Sequence, residues 1–145
     1  LSMLSRLVEK AHASDKKCLL HIDLINGITS DEYGAEYAIQ QLNVDGLVST
    51  KSSVIKIAKK KKVIAIYRVF LIDNHSLKRS MDRVQELRPD YVEILPALAH
   101  KIIPRIRERI LVPIIGGGLI SSREDINECI ESGMIGVTTS DLDLW

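Results

Sequence analysis

The chain has 145 residues, 46% apolar and 27% charged, with a net charge of +1; that is the make-up of one soluble globular domain over 1–145. So small a net charge excludes a global field that draws the chain to nucleic acid or membrane, and any nucleic-acid contact has to come from a local patch. No apolar run approaches the roughly 20 residues of a membrane span, and Cys18 and Cys129 match no metal or redox spacing, which reads as reduced thiols of a cytoplasmic protein.

Helix and strand patterns alternate along the chain. Leu4, Leu7, Val8 and Ala11 recur at helical spacing. Residues 18–24 (CLLHIDL) form a short apolar run after a lysine pair, the signature of a buried strand. Helical periodicity over 31–42 follows, with Ser30 as its cap and acids in the first turn. A turn at 43–46 leads to a strand at 46–50, then to a helix at 52–62 that starts from a serine cap. Next come a strand at 63–71, a helix at 76–88 ended by Arg88-Pro89, and a strand at 91–96. A helix at 97–109, a strand at 112–118, a helix at 122–132 and a strand at 135–140 complete the pattern.

Six apolar strands separated by helical segments predict an α/β fold with a parallel sheet covered on both faces. Two architectures fit: a doubly wound open sheet and a (β/α)8 TIM barrel. Polar residues gather at the strand C-terminal ends: His21 and Asp23, then Ser49, Thr50 and Lys51, then Arg68, Glu93, the glycines after 115 and the hydroxyls after 137. Six strands with polar groups at one rim favour the TIM-barrel-like form. A barrel has eight strands, and the chain opens inside a helical pattern. The expectation is therefore that these are strands three to eight, with about 30–50 residues of an N-terminal βα portion before Leu1.

On that numbering Gly116, Gly117 and Gly118 end the seventh strand, and Thr138, Thr139 and Ser140 end the eighth, the place where many barrels hold phosphate. Glycines admit positive φ and close approach of an anion to backbone N–H groups. The hydroxyls add donors and start a following helix whose dipole favours negative charge. The plainer alternative is a flexible loop beside a helix cap.

Residues 20–37 (LHIDLINGITSDEYGAEY), 45–60 (DGLVSTKSSVIKIAKK), 68–74 (RVFLIDN), 90–97 (DYVEILPA), 114–120 (IIGGGLI) and 137–145 (VTTSDLDLW) together resemble the glycerol uptake operon antiterminator regulatory protein family. The resemblance covers nearly the whole chain. It implies a barrel-like fold whose first strand and helix precede Leu1, and a bacterial transcription antiterminator without catalysis. Such a protein responds to glycerol 3-phosphate as effector and binds the leader mRNA of glycerol-utilisation genes. Proteins of this kind often act as homo-oligomers, though no exposed apolar helix face marks one here. None of this regulatory role follows from periodicity; only the phosphate site does.

Several residues admit two readings. Asp23 and His21, two apart on one strand, either meet a ligand hydroxyl at the barrel mouth or support each other. Lys51 at a strand end contacts phosphate, forms a Schiff base or is simply solvated. Arg68 clamps an anion or pairs with Glu93, an inward carboxylate that needs a partner. For RNA the obvious patch is Lys56 with Lys59, Lys60, Lys61 and Lys62, which also reads as a solvated helix end. A second basic segment holds Lys101, Arg105, Arg107 and Arg109. Both runs fall on the face opposite the phosphate mouth, and aromatics for base stacking are scarce. No metal-ligand motif appears, so no metal or other cofactor is expected. The competing functions are a TIM-barrel enzyme on a small phosphorylated substrate, with Asp23, Glu93 and His21 as acid and base, and a plain metabolite-binding protein.

Overall fold

The structure, a computed structural model, describes residues 2–145. It divides into two compact units, Leu1–Tyr67 and Arg68–Trp145.

The first unit runs α1 (Ser2–Ala13), β1 (Leu19–His21), a 3-10 turn (Ile22–Leu24), α2 (Glu32–Gln40), β2 (Gly46–Ser49), α3 (Ser52–Lys60) and most of β3 (Ile64–Phe70). β2 lies between β1 and β3, parallel to both, with Leu20 opposite Leu47 and Leu47 opposite Ala65. Every residue of β2 is buried, as expected of a strand covered on both faces. Val54, Ile55 and Ala58 of α3 and Ala35 and Ala38 of α2 are fully buried in this core.

The second unit contains the last residues of β3, then α4 (Asn74–Leu87), β4 (Tyr91–Leu95), a 3-10 segment (Ala97–Ile102), α5 (Ile103–Arg107), β5 (Ile114–Gly117), α6 (Arg123–Glu131), β6 (Gly136–Thr138) and a closing 3-10 turn (Leu142–Leu144). β5 is parallel to β4 and β6, with Glu93 opposite Ile115 and Gly117 opposite Thr138. Met81, Val84, Val92, Ile94, Ile103, Ile106, Ile114 and Cys129 form its core.

All six expected strands form, each shorter than its apolar run. The helix ends differ more. α2 is capped by Asp31 rather than Ser30: its carboxylate takes the Gly34 N–H at 2.9 Å and the Thr29 hydroxyl at 2.8 Å. α3 has no side-chain cap; Lys51 holds the N-cap position, and its N–H goes back to the Ser49 hydroxyl. α4 starts two residues earlier than its periodicity suggests, because Asp73 and Ser76 form a capping box. The helix expected over 97–109 is a 3-10 segment followed by a five-residue α5. Pro104 lacks the N–H that one continuous helix would aim at the carbonyl of His100.

Candidate functional site

In the second unit the ends of β3, β5 and β6 meet the middle of β4. Glu93 is buried, with 2% of its surface exposed. Its Oε2 accepts from Arg68 Nε at 2.6 Å, and its Oε1 accepts from the Thr138 hydroxyl at 2.8 Å. A carboxylate this deep is stable as a charge only when paired and hydrogen-bonded, and both oxygens meet that requirement. Arg68 spends only its Nε on the pair. Among the described residues its two terminal nitrogens have no protein acceptor.

The three glycines serve different ends. A Cβ on Gly117 would lie 2.6 Å from Glu93 Oε1 and 2.9 Å from Thr138 Oγ1, so this glycine makes room for the buried pair. A Cβ on Gly116 would strike Met134 and Ala97. Positive φ, expected of all three, belongs to Gly118 alone, at 76°, and continues at Leu119, at 61°. Gly118 and Leu119 are exposed, and the ladder between β5 and β6 ends at the pair Gly117–Thr138.

The hydroxyls also divide. Thr138 is committed to Glu93. Thr139 Oγ1 accepts from the Asp141 N–H at 3.1 Å, which leaves its own proton to donate, and Ser140 is exposed. The helix expected after Ser140 is a three-residue 3-10 turn capped by Asp141, too short to supply much dipole. Nor is α6 an open anion site, since Asp125 takes the N–H groups of Ser121 and Ser122. What remains for an anion is exposed strand-end backbone at residues 118–119, the Thr139 and Ser140 hydroxyls and the Arg68 fork.

In the first unit Asp23 lies in the 3-10 turn after β1, not on the strand. The register His21–Val48 brings it to the end of β2. Its Oδ1 accepts from the Ser49 hydroxyl at 2.5 Å, and its Oδ2 from the Thr50 N–H at 2.7 Å and hydroxyl at 2.8 Å. Burial works against its charge, yet these hydrogen bonds and the nearby His21 hold its carboxyl below the ordinary aspartate range. His21 Nε2 stands 3.8 Å away, beyond a hydrogen bond. Asp23 therefore ties the β2–α3 turn, and its oxygens are occupied by that task. The Lys51 side chain is exposed at the start of α3.

Of the lysine run, Lys56, Lys59, Lys60 and Lys62 are exposed, while Lys61 pairs with Glu36 at 3.0 Å. The run sits where α3 leads into β3, at the N-terminal end of the strands of that unit. In the second basic segment Arg105 donates to Asn74 at 3.2 Å, and Arg109 lies 3.3 Å from Asp82. Two features escaped the sequence reading: the tie of Ser49 and Thr50 to Asp23, for which polar residues closing a fully apolar strand were the only signal, and Arg88, exposed in a left-handed conformation after α4. Among the described residues no cluster of three or more His, Cys, Asp or Glu could hold a metal, and no helix is long and apolar enough to cross a membrane.

The family model described as "Glycerol-3-phosphate responsive antiterminator" matches residues 1–145. The crystal structure of the glycerol uptake operon antiterminator regulatory protein from Listeria monocytogenes is similar at 38% identity and a TM-score of 0.94, over 99% of this chain and 78% of that one. A glycerol uptake operon antiterminator-related protein from Thermotoga maritima is similar at 26% identity and a TM-score of 0.86, over 99% and 81%. The uncharacterized protein YgcP of Escherichia coli (strain K12) is 30% identical over 142 residues, 98% of this chain and 74% of that protein. More distant likenesses, such as a putative deoxyribose-phosphate aldolase from Coccidioides immitis at 15% identity and a TM-score of 0.71, share only the α/β, TIM-barrel-like fold.

Proposed function

We infer the function from the family and the site together: the chain belongs to the glycerol-3-phosphate responsive antiterminator family, whose members are regulators. Beyond that, we propose that the second unit binds glycerol 3-phosphate and that the chain binds the leader RNA of glycerol-utilisation genes, without catalysis. The observation that carries the ligand assignment is the pairing of two bare strand ends, Gly118–Leu119 beside Thr139–Ser140. Backbone N–H groups and hydroxyls suit phosphate oxygens there, and Arg68 offers two further donors.

The reading as an enzyme has less to work with. A general base must reach a substrate proton. Glu93 has both oxygens engaged by Arg68 and Thr138, and Asp23 has both engaged by Ser49 and Thr50. These carboxylates are positioned as supports.

Ser140→Glu provides the test of the ligand site. The position is exposed, so the fold should be unaffected, while a carboxylate there repels phosphate. Titration calorimetry should show glycerol 3-phosphate affinity falling at least tenfold; unchanged affinity overturns the site. The regulatory part is tested by gel shift of a glycerol-operon leader transcript at fixed salt. Glycerol 3-phosphate should change RNA affinity by roughly 5–150-fold, with the same factor recovered in the reverse titration. Equal RNA affinity with and without ligand refutes the coupling.

A further inference from the structure

The second unit carries a cleft of about 640 Å³ at the N-terminal ends of β4 and β5, between the end of α4 and the segment after α5. Its lining includes Arg88, Arg109, Leu111, Val112 and Pro113, with one carboxylate, Asp90, against the two arginines. It lies at the end of the strands away from residues 118–119 and 139–140. The size is that of a small-molecule pocket, too small for a helix of another protein.

We propose that this cleft receives one unpaired nucleotide of the bound RNA. The assignment rests on the reading that the chain binds leader RNA, and it names where.

The lining combines the two things a nucleotide needs. Leu111 is 94% exposed. One exposed leucine means little, but here it joins Val112 and Pro113 as an apolar floor on which a base can lie. Arg88 and Arg109 line the same cleft and can donate to a phosphate, and a guanidinium plane can also stack on a base where aromatics are absent. Arg88 is exposed and, among the described residues, has no ion-pair partner. Among the described residues the Arg109 side chain has one partner, a half-exposed contact to Asp82, the kind of surface pair that contributes little and exchanges readily. Gln85, also in the lining, gives its amide N–H to the Arg109 carbonyl, and its amide oxygen remains an acceptor for a base amino group. Residues 101–109 extend the positive surface, with four cations against the single acid Glu108.

The lysine run fits less well. Lys61 is tied to Glu36. The cleft beside Lys62 has its Asp45 carboxylate engaged by His12 and the Cys18 N–H, and its cations are lysines, Lys17 and Lys62, which lack the guanidinium plane that stacks on a base.

Arg88 also supplies a clean test. Its φ of 48° is a conformation glycine adopts without strain. Arg88→Gly therefore removes the cation while leaving the fold as stable as before, or more so. Gel shifts over a range of salt, with a glycerol-operon leader transcript, should show Arg88→Gly binding at least fivefold more weakly, with a salt slope smaller by about one. Leu111→Asp should weaken binding similarly, while Lys59→Glu leaves the slope unchanged. Melting temperature and glycerol 3-phosphate affinity should hold in all three. If the parent chain binds the transcript and Arg88→Gly and Leu111→Asp bind it equally well, the cleft is not the RNA surface; loss in Lys59→Glu alone would place that surface on the lysine run. If the parent chain does not bind the transcript at any salt, the RNA reading itself fails, and the cleft assignment with it.

Discussion

Asp23 in the first unit and Glu93 in the second are both carboxylates among parallel strands, but their oxygens are satisfied by different means. Asp23 takes three neutral donors from two successive residues of one turn. Glu93 is more deeply buried and takes one guanidinium and one hydroxyl from strands on either side of it in the chain. A carboxylate satisfied by a turn is self-contained and fixes local geometry. A carboxylate satisfied by part of an arginine fork leaves that fork with bonds still to make. The difference separates a tether from the base of a binding site.

The comparison predicts unequal damage. Arg68→Met should be the most harmful change, at about 3 kcal/mol, the lower end of the cost of leaving a buried charge without its partner. The urea midpoint measures it. The Arg68→Met/Glu93→Gln double variant should be more stable than Arg68→Met alone, since no buried charge is left over. If the single variant is as stable as the parent, Glu93 is not held as a paired charge.

Asp23→Asn comes next, at about 2 kcal/mol, because an amide must turn an N–H towards one of the Ser49 or Thr50 donors. This loss depends on pH. The folded carboxyl titrates below the ordinary value of 3.8, so its charge stabilises the fold above the unfolded value. That contribution disappears as pH falls through the folded one. Guanidinium unfolding at pH 7 and again below about pH 3 should therefore show the gap between parent and variant closing in acid. A gap that stays constant would mean that the charge of Asp23 contributes nothing and only its shape matters.

The smallest effect belongs to Thr138→Val, at about 1 kcal/mol in thermal unfolding, the lower end of the cost of leaving a buried acceptor without one of its donors, because Arg68 still holds the other oxygen of Glu93. A loss as large as that of Arg68→Met would make the hydroxyl, not the guanidinium, the main support of Glu93.

The succession of strands was legible because each buried strand is a short apolar run between turn residues, and neither unit needs anything subtler to bury it. The pairing of Arg68 with Glu93 was readable for a similar reason: an acid inside an apolar strand needs a cation, and the neighbouring strand offers one. What stayed hidden depends on register. Thr138 reaches Glu93 only because Gly117 is opposite Thr138 in the ladder, and Asp23 reaches Thr50 only because His21 is opposite Val48. A single chain does not state how far one strand slides along the next. The caps at Asp31 and Asp73 were missed differently: the hydrophobic period locates a helix, while the chain enters it wherever a side chain can meet the first N–H groups.

The tight space at Gly117 has a consequence for how this part of the protein can change. The volume a side chain would need there is filled by the carboxylate of Glu93 and the hydroxyl of Thr138. Positions 93 and 117 thus share one allotment of room. A form of the protein with a shorter residue at 93, whose loss frees the Thr138 hydroxyl to turn away, could accept alanine at 117, whereas either change alone leaves a hole or a collision. The two positions are free to drift only in step, and the bare backbone at the end of β5 endures as long as the acid beside it does.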